Sequence, residues 1–335
     1  MPNLLPWIQL IIAASIILIT SKYLVKHADN IAIKTGLGRT FIGIVLLATA
    51  TSLPELATGI NSVYSLDSPD LAAGDVFGSN IFNLLIIVIL DAYSGNQSFL
   101  GNIKNISWTL PLLTIVIISI SILALWDSNQ LSLNFGNVGL LSYLIFIFFI
   151  ISMLITYKQS QNENEESIQN EDIIDNSPSV KYSIIVYIIS AAVIIMSAVF
   201  LSMAGEKIAH IMKWQESFVG TQFLALSTSL PELATSLAAL KLRAPELAIT
   251  NLLGSNLFNT GLVLFIDDIF YTNKPIWQDL SQIHIFNAFI AILMTLTIIT
   301  TIKIQPKQKL FKFIGIESIL LVILYLASTI YTFQS

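Results

Sequence analysis

The chain has 335 residues, of which 55% are hydrophobic and only 11% charged, with a net charge of −5 and no cysteine. Apolar runs of twenty or more residues recur along it, which is the composition of a polytopic membrane protein. The lack of cysteine excludes disulfides, thiolate metal sites and cysteine nucleophiles, and the small acidic balance argues against nucleic acid as a partner.

The first apolar run, residues 4–25, has no basic residue ahead of Lys22, so it lacks the charged start of a cleaved leader and reads as a retained span. Runs long enough for a hydrocarbon core of roughly 30 Å follow at 40–64, 70–91, 106–126, 137–157, 183–204, 217–240, 246–267, 283–302 and 313–333. Between the fifth and sixth lies a stretch of another kind, with Glu163, Glu165, Glu166, Glu171, Asp172 and Asp175 among Asn, Gln and Ser. That composition is a solvated linker, and it contains no D-x-D-x-D-G calcium loop. The expected fold is an all-α membrane protein of ten transmembrane helices in two five-helix repeats, 1–157 and 182–335, joined by the acidic linker 158–181. Most of the 16 Lys and Arg fall in the odd-numbered loops, which puts those loops and the linker in the cytoplasm and both termini outside. Lys303, Lys307, Lys309 and Lys312 fit this rule and need no further role.

The two halves share an internal repeat. "FIGIVLLATATSLPELATGINSVYSLDSPDLAAGDVFGSNIFNLLIIVILD", Phe41 to Asp91, aligns with "FVGTQFLALSTSLPELATSLAALKLRAPELAITNLLGSNLFNTGLVLFID", Phe218 to Asp267, with one residue fewer in the second loop. Five spans per half is an odd number, so the second half enters the membrane from the opposite side and the repeats are inverted, an architecture of alternating-access carriers.

Within each copy a proline interrupts the helix, removing a backbone donor and crowding the carbonyl four residues earlier, that of Ala50 or Ser227. A carbonyl freed at membrane depth needs a partner, and a cation is one. Glu55 and Glu232 follow directly, where a carboxylate costs roughly 2.5 to 3.5 kcal/mol. Thr51, Ser52, Thr228 and Ser229 add neutral oxygens, and Thr51 with Glu55 and Thr228 with Glu232 are spaced i, i+4 on one face. Carboxylates, hydroxyls and carbonyls form an all-oxygen set suited to hard cations such as calcium or sodium.

The second motif is "GSNIFN", Gly78 to Asn83, repeated as "GSNLFN", Gly254 to Asn259. Ser79 and Asn83 share a stripe, as do Ser255 and Asn259, and one turn back that stripe reaches Asp75 in the first copy and Asn251 in the second. The glycines allow the third helix to lie tightly against the broken second one. Asp91, Asp267 and Asp268 close the repeats and read as solvated caps at the membrane edge. An enzyme is not indicated: H-E-x-x-H is absent, His27, His210 and His284 fall near helix ends as interfacial residues, and the motif serines have no histidine base at their depth. A channel would be expected to present a continuous lining rather than inverted broken helices. No cofactor is expected.

T-S-L-P-E-L paired with G-S-N, twice, resembles the calcium/cation antiporters, in particular the sodium/calcium exchanger branch. The resemblance implies alternating access in which calcium is exchanged for sodium at a shared site in mid-membrane. It implies Glu55 and Glu232 as shared calcium and sodium ligands, helped by Thr51 and Thr228. Ser52, Ser229, Ser79 and Ser255, with the carbonyls of Ala48 and Ala225, would serve sodium, and Asn83 and Asn259 would face the central site. The chain departs from the pattern at Asn259, often aspartate in exchangers, at Ala50 and Ser227, where glycine is usual, at Thr250, where glycine is also usual, and at Asp75, commonly asparagine. Asp75 is expected one turn nearer the outer face than Ser79, adding charge to the outer pathway. Proton coupling is the runner-up to sodium.

Overall fold

The computed structural model describes residues 4–35, 48–95, 98–103, 108–126, 134–164, 178–241, 245–272, 274–306, 309 and 314–335. The elements are helices α1 (Leu5–Thr35), α2 (Ala48–Thr51), α3 (Leu53–Tyr64), α4 (Pro69–Tyr93), α5 (Thr109–Trp126), α6 (Leu140–Asn164) and α7 (Val180–Met212), then α8 (Glu216–Val219), α9 (Ala225–Thr228), α10 (Leu230–Lys241), α11 (Pro245–Phe258), α12 (Leu264–Phe270), α13 (Ile283–Ile304) and α14 (Ile316–Gln334). A two-residue antiparallel pair, β1 (Asn134–Phe135) and β2 (Val138–Gly139), precedes α6, turning through Gly136 at φ 70°. Wider π-helical turns join α8 to α9 at Gly220–Leu224 and α11 to α12 at Asn259–Val263.

Seven helices among the described residues are long and apolar enough to cross a membrane, and α8–α9 with α10, bent by 41°, makes an eighth. Two expected spans are met by shorter pieces. Of 40–64, residues 40–47 lie outside the described residues and the remainder is α2 and α3; of 137–157, the apolar part is Leu140–Thr156. Most of the expected linker, 165–177, also lies outside the described residues, while α6 runs on to Asn164.

Burial sorts the helices into layers. The windows of Pro69–Tyr93 and Pro245–Phe270 are 83% buried, against 33% for Leu5–Ala28 and 28% for Val180–Met212. The central pair α4 and α11–α12 is thus the most enclosed place for polar residues, while α1 and α7 pack chiefly on each other at the periphery. Apolar side chains of α4 (Phe77, Ile81, Leu84), α11 (Leu252, Leu253, Leu257) and α13 (Ala288, Met294) form the main core. Small residues let the central helices close up. A Cβ on Gly78 would lie 2.6 Å from Thr221 Cα, and one on Gly74 3.1 Å from Gly220 Cα. The glycine face of α4 thus meets the first part of the other half's broken helix, not that of its own half as the motif spacing predicts.

The three acids expected as solvated caps are buried. Asp91 accepts from the backbone N–H of Phe99 (2.9 Å) and Gly315 (3.0 Å) and from Ser318 Oγ (2.8 Å), and it pairs with Lys309 at 3.1 Å. Lys309 therefore has a structural partner that the positive-inside pattern did not indicate. Asp268 accepts from the N–H of Ile276 (2.7 Å) and Gly139 (3.0 Å) and from Ser142 Oγ (2.5 Å). Asp268, not its sequence-aligned neighbour Asp267, thus fills the Asp91 role. The π turn at Asn259–Val263 takes up one additional residue, so beyond it the second copy runs one position late. Asp267 then corresponds to Leu90.

Candidate cation site

The breaks occur at the same residue in each copy, Ser52 (φ −91°, ψ 9°) and Ser229 (φ −83°, ψ 6°). Both sit in the bridge region that ends one helix and starts another. Pro54 and Pro231 then fall in the first turn of α3 and α10, where a missing N–H costs nothing. The break also gives Glu55 and Glu232 a favourable place, because each lies in the first turn of its new helix. Unsatisfied N–H groups and the positive end of the helix dipole favour a carboxylate there, offsetting part of its burial cost.

Every donor expected from the motifs whose side chain is described is buried. Thr51, Ser52, Glu55, Asp75, Ser79, Asn83, Thr228, Ser229, Glu232, Ser255 and Asn259 are all inaccessible to solvent. Most of the bonds between them cross from one half to the other, and that of Ser255 to Glu232 stays within the second. Thr51 Oγ1 and Ser255 Oγ are 3.3 Å apart, and so are Ser79 Oγ and Thr228 Oγ1. Ser229 Oγ donates to Glu55 Oε1 at 3.5 Å, Ser255 Oγ to Glu232 Oε1 at 3.2 Å, and Asn83 Nδ2 to Asn256 Oδ1 at 2.9 Å. The second carboxylate oxygen of each acid, Glu55 Oε2 and Glu232 Oε2, has no hydrogen-bond partner, nor do Ser52 Oγ, Asn83 Oδ1 or either side-chain atom of Asn259. Buried oxygens without donors are expensive, and a hard cation satisfies several at once. No group of three or more His, Cys, Asp or Glu assembles for a metal among the described residues. The donor set is two carboxylates among hydroxyl and amide oxygens.

Ala225 caps this arrangement from α9, its carbonyl accepting from the N–H of Ser229 at 3.0 Å and from Thr228 Oγ1 at 3.3 Å. Ala48 opens α2. Asp75, expected near the outer pathway, lies inside the bonded cluster. It is inaccessible, accepts from Thr228 Oγ1 at 2.9 Å and Ser79 Oγ at 3.5 Å, and takes a further bond from Thr58 Oγ1. Hydroxyls of both halves draw it to the centre. In the second copy Asn251 holds the matching place, donating to Thr235 Oγ1 at 3.0 Å.

Sequence reasoning missed Thr58 and Thr235, which back-bond to the carbonyls of the Pro–Glu pairs and orient Asp75 and Asn251. It also missed Asn80 and Asn256: Asn80 ties α4 to the π turn through Thr260 Oγ1 (2.8 Å), and Asn256 ties α11 to α4 through the Asn80 carbonyl (3.0 Å). The signal was available, since each pair is identical in the aligned repeats. Thr260 carries no such signal, because its place depends on the π turn. Of the three histidines only His210 is exposed at its side chain. His284 is buried against Asp70 (2.9 Å) and stacked on Phe77, and His27 is buried 3.0 Å from Ser183 Oγ.

Broken helices presenting buried oxygens to one another are the build of a membrane carrier for cations. Comparison with known proteins gives the particular kind. The model of the family described as sodium/calcium exchanger protein matches residues 5–152 and 182–334. The chain belongs to that family, whose members are exchangers rather than enzymes, and is an integral membrane cation/calcium antiporter. It is 27% identical over 257 residues to inner membrane protein YrbG of Escherichia coli K12, covering 76% of this chain and 77% of that one. It is 25% identical over 286 residues to the sodium/calcium exchanger MaX1 of Methanosarcina acetivorans, covering 75% and 79%. Its fold matches that of the sodium-calcium exchanger NCX_Mj soaked with sodium and strontium, at a TM-score of 0.61 and 24% identity over 97% of this chain and 98% of that one.

Proposed function

We propose that the protein exports calcium across the cell membrane in exchange for sodium, by alternating access at a site between two inverted five-helix repeats, 1–157 and 182–335. In this reading all ten expected segments span the bilayer, both termini lie outside, and the linker 158–181 is cytoplasmic. Glu55 and Glu232 bind calcium and sodium in turn, with Thr51 and Thr228 beside them. Ser52, Ser79, Ser229 and Ser255 serve sodium with the carbonyls of Ala48 and Ala225, Asn83 and Asn259 face the centre, and Asp75 adds charge next to it.

The observation that carries the reading is the pair of buried, unpartnered oxygens, Glu55 Oε2 and Glu232 Oε2, one from each half. The crosswise hydroxyl bonds support the two-fold arrangement. So does the exchange of loop caps, where the end of α4 holds the start of α14 and the end of α12 holds the start of α6. Two carboxylates neutralise one calcium ion, so a loaded site is close to neutral and can be occluded. An empty one keeps bare charge in a low dielectric and resists closure. Exchange is then obligatory, because each ion lowers the free energy of the occluded state only while bound.

The test is calcium-45 uptake into proteoliposomes under an imposed sodium gradient or an imposed pH gradient, beside Glu55→Gln. Uptake driven by sodium and abolished in the variant is the expected result. Uptake driven by the pH gradient alone gives the coupling role to protons, and gradient-driven uptake that persists in Glu55→Gln removes the assigned site.

A further inference from the structure

Asp267 is the one acid among the described residues with both carboxyl oxygens buried and lacking hydrogen-bond partners. Its side chain is inaccessible to solvent. The group faces α3 one turn beyond Glu55, in the space that Gly59 leaves open, where an added Cβ would lie 2.5 Å from Oδ1 and 2.7 Å from Oδ2. Ser62, one turn further on the same face as Gly59, has a buried Oγ that also lacks a partner. The acids whose charges reach Asp267 are Asp75 and Asp268. Both are already held by hydroxyl or backbone donors. The matching position in the first copy is Leu90, also fully buried, so the architecture does not need an acid here.

We propose that Asp267 holds a monovalent cation, sodium, at a subsite between the central acids and the end of the molecule where α3 closes, with Ser62 as a neutral donor. One free carboxylate and a hydroxyl balance a single charge, whereas a divalent ion would be left half-neutralised. The subsite adds a station to the carrier reading and rests on it. It exists in one half only, because the π turn at Asn259–Val263 moved an acid to where the other half has leucine.

Equilibrium binding of sodium-22 to the purified protein, calcium-free and with choline as the replacing cation, counts the ions. Asp267→Leu, which restores the residue of the other half, and Gly59→Ala, which keeps the acid but sets a methyl against its oxygens, are each expected to bind one sodium fewer than the native chain. Glu55→Gln combined with Glu232→Gln is expected to retain one sodium that a further Asp267→Leu removes. An unchanged sodium count in Asp267→Leu, with a monodisperse elution profile and a cooperative thermal transition, overturns the proposal. Should that variant not fold, an unchanged count in Gly59→Ala overturns it equally. If the central double variant binds calcium as the native chain does, the central assignment fails, and the Asp267→Leu comparison still decides this subsite by itself.

Discussion

Glu232→Gln changes charge but not shape, and the structure sets what it should cost. Glu232 Oε1 holds Ser255 Oγ, while Oε2 is free. The glutamine oxygen keeps the serine bond, which swings the amide NH2 into the place of Oε2 and aims donors where a cation would sit. A unit charge about 4 Å from a divalent ion contributes about 8 kcal/mol at an effective dielectric of about 20. The carboxylate's own desolvation, no longer incurred, returns several kcal/mol, so the net loss is about 4 kcal/mol. That corresponds to about a thousandfold weaker calcium binding. For sodium the Coulomb contribution is halved to about 4 kcal/mol, nearly cancelled by the same desolvation, so sodium binding should change by less than about tenfold. Equilibrium binding of calcium-45 and sodium-22 to the purified variant reads both. Calcium affinity within about threefold of the native value, or equal losses for the two ions, would refute the reasoning.

Asp75→Asn should fold, since Asn251 occupies the equivalent place, and should lose about 1.5 to 3 kcal/mol of charge-assisted bonding from Thr58, Thr228 and Ser79. Calcium affinity is expected to drop about tenfold or more; transport with unaltered ion dependence would remove Asp75 from the pathway. Asp91→Asn removes the carboxylate that pairs with the buried Lys309 ammonium at 3.1 Å and should cost about 1.5 to 3 kcal/mol, read as a lower midpoint of thermal unfolding in detergent. Asp268→Asn, whose carboxylate has no partner cation among the described residues, should cost less. Gly78→Ala drives a methyl to within 2.6 Å of the Thr221 backbone and should cost about 1 to 3 kcal/mol in the same assay. At the loop before α13, partial burial pushes Asp279 up, but the Lys274 ammonium at 2.6 Å and the Tyr271 hydroxyl at 2.5 Å more than offset it and hold its pKa below the usual carboxylate range. Its stabilisation is therefore present above the unfolded pKa of about 4 and fades as pH falls through the lower folded value. The pair is partly exposed, so Asp279→Asn should flatten this dependence by less than about 1 kcal/mol.

The candidate site was legible in the sequence because its residues are written twice. A proline followed by glutamate can be a kink in one copy. Found again in the aligned repeat, it marks a shared purpose, and the structure buries Glu55 and Glu232 among the same hydroxyls. What escaped reading depends on facts that periodicity does not carry. Break points at Ser52 and Ser229 put the acids at helix N-termini, although a proline pattern alone suggests only a bent helix. The glycine face of α4 was assigned to its own half, because spacing says which residues share a stripe and not which helix lies opposite. Asp91, Asp267 and Asp268 looked like solvated ends of hydrophobic runs. Only the loops folding back through Phe99, Gly139 and Ile276 bury two of them, and only a π turn parts Asp267 from Asp268. Lys309 is likewise indistinguishable in sequence from the basic residues around it until Asp91 is seen beside it.

Polar bridges at the centre run from one half to the other, joining Thr51 to Ser255, Ser79 to Thr228 and Asn83 to Asn256. This dictates where genetic compensation should arise. A transport defect from a substitution at Thr228 should be rescued by second-site suppressors at Ser79 or Asp75, in the opposite half of the gene, ahead of any change in Thr228's immediate sequence neighbours. The halves are in this sense one heritable unit.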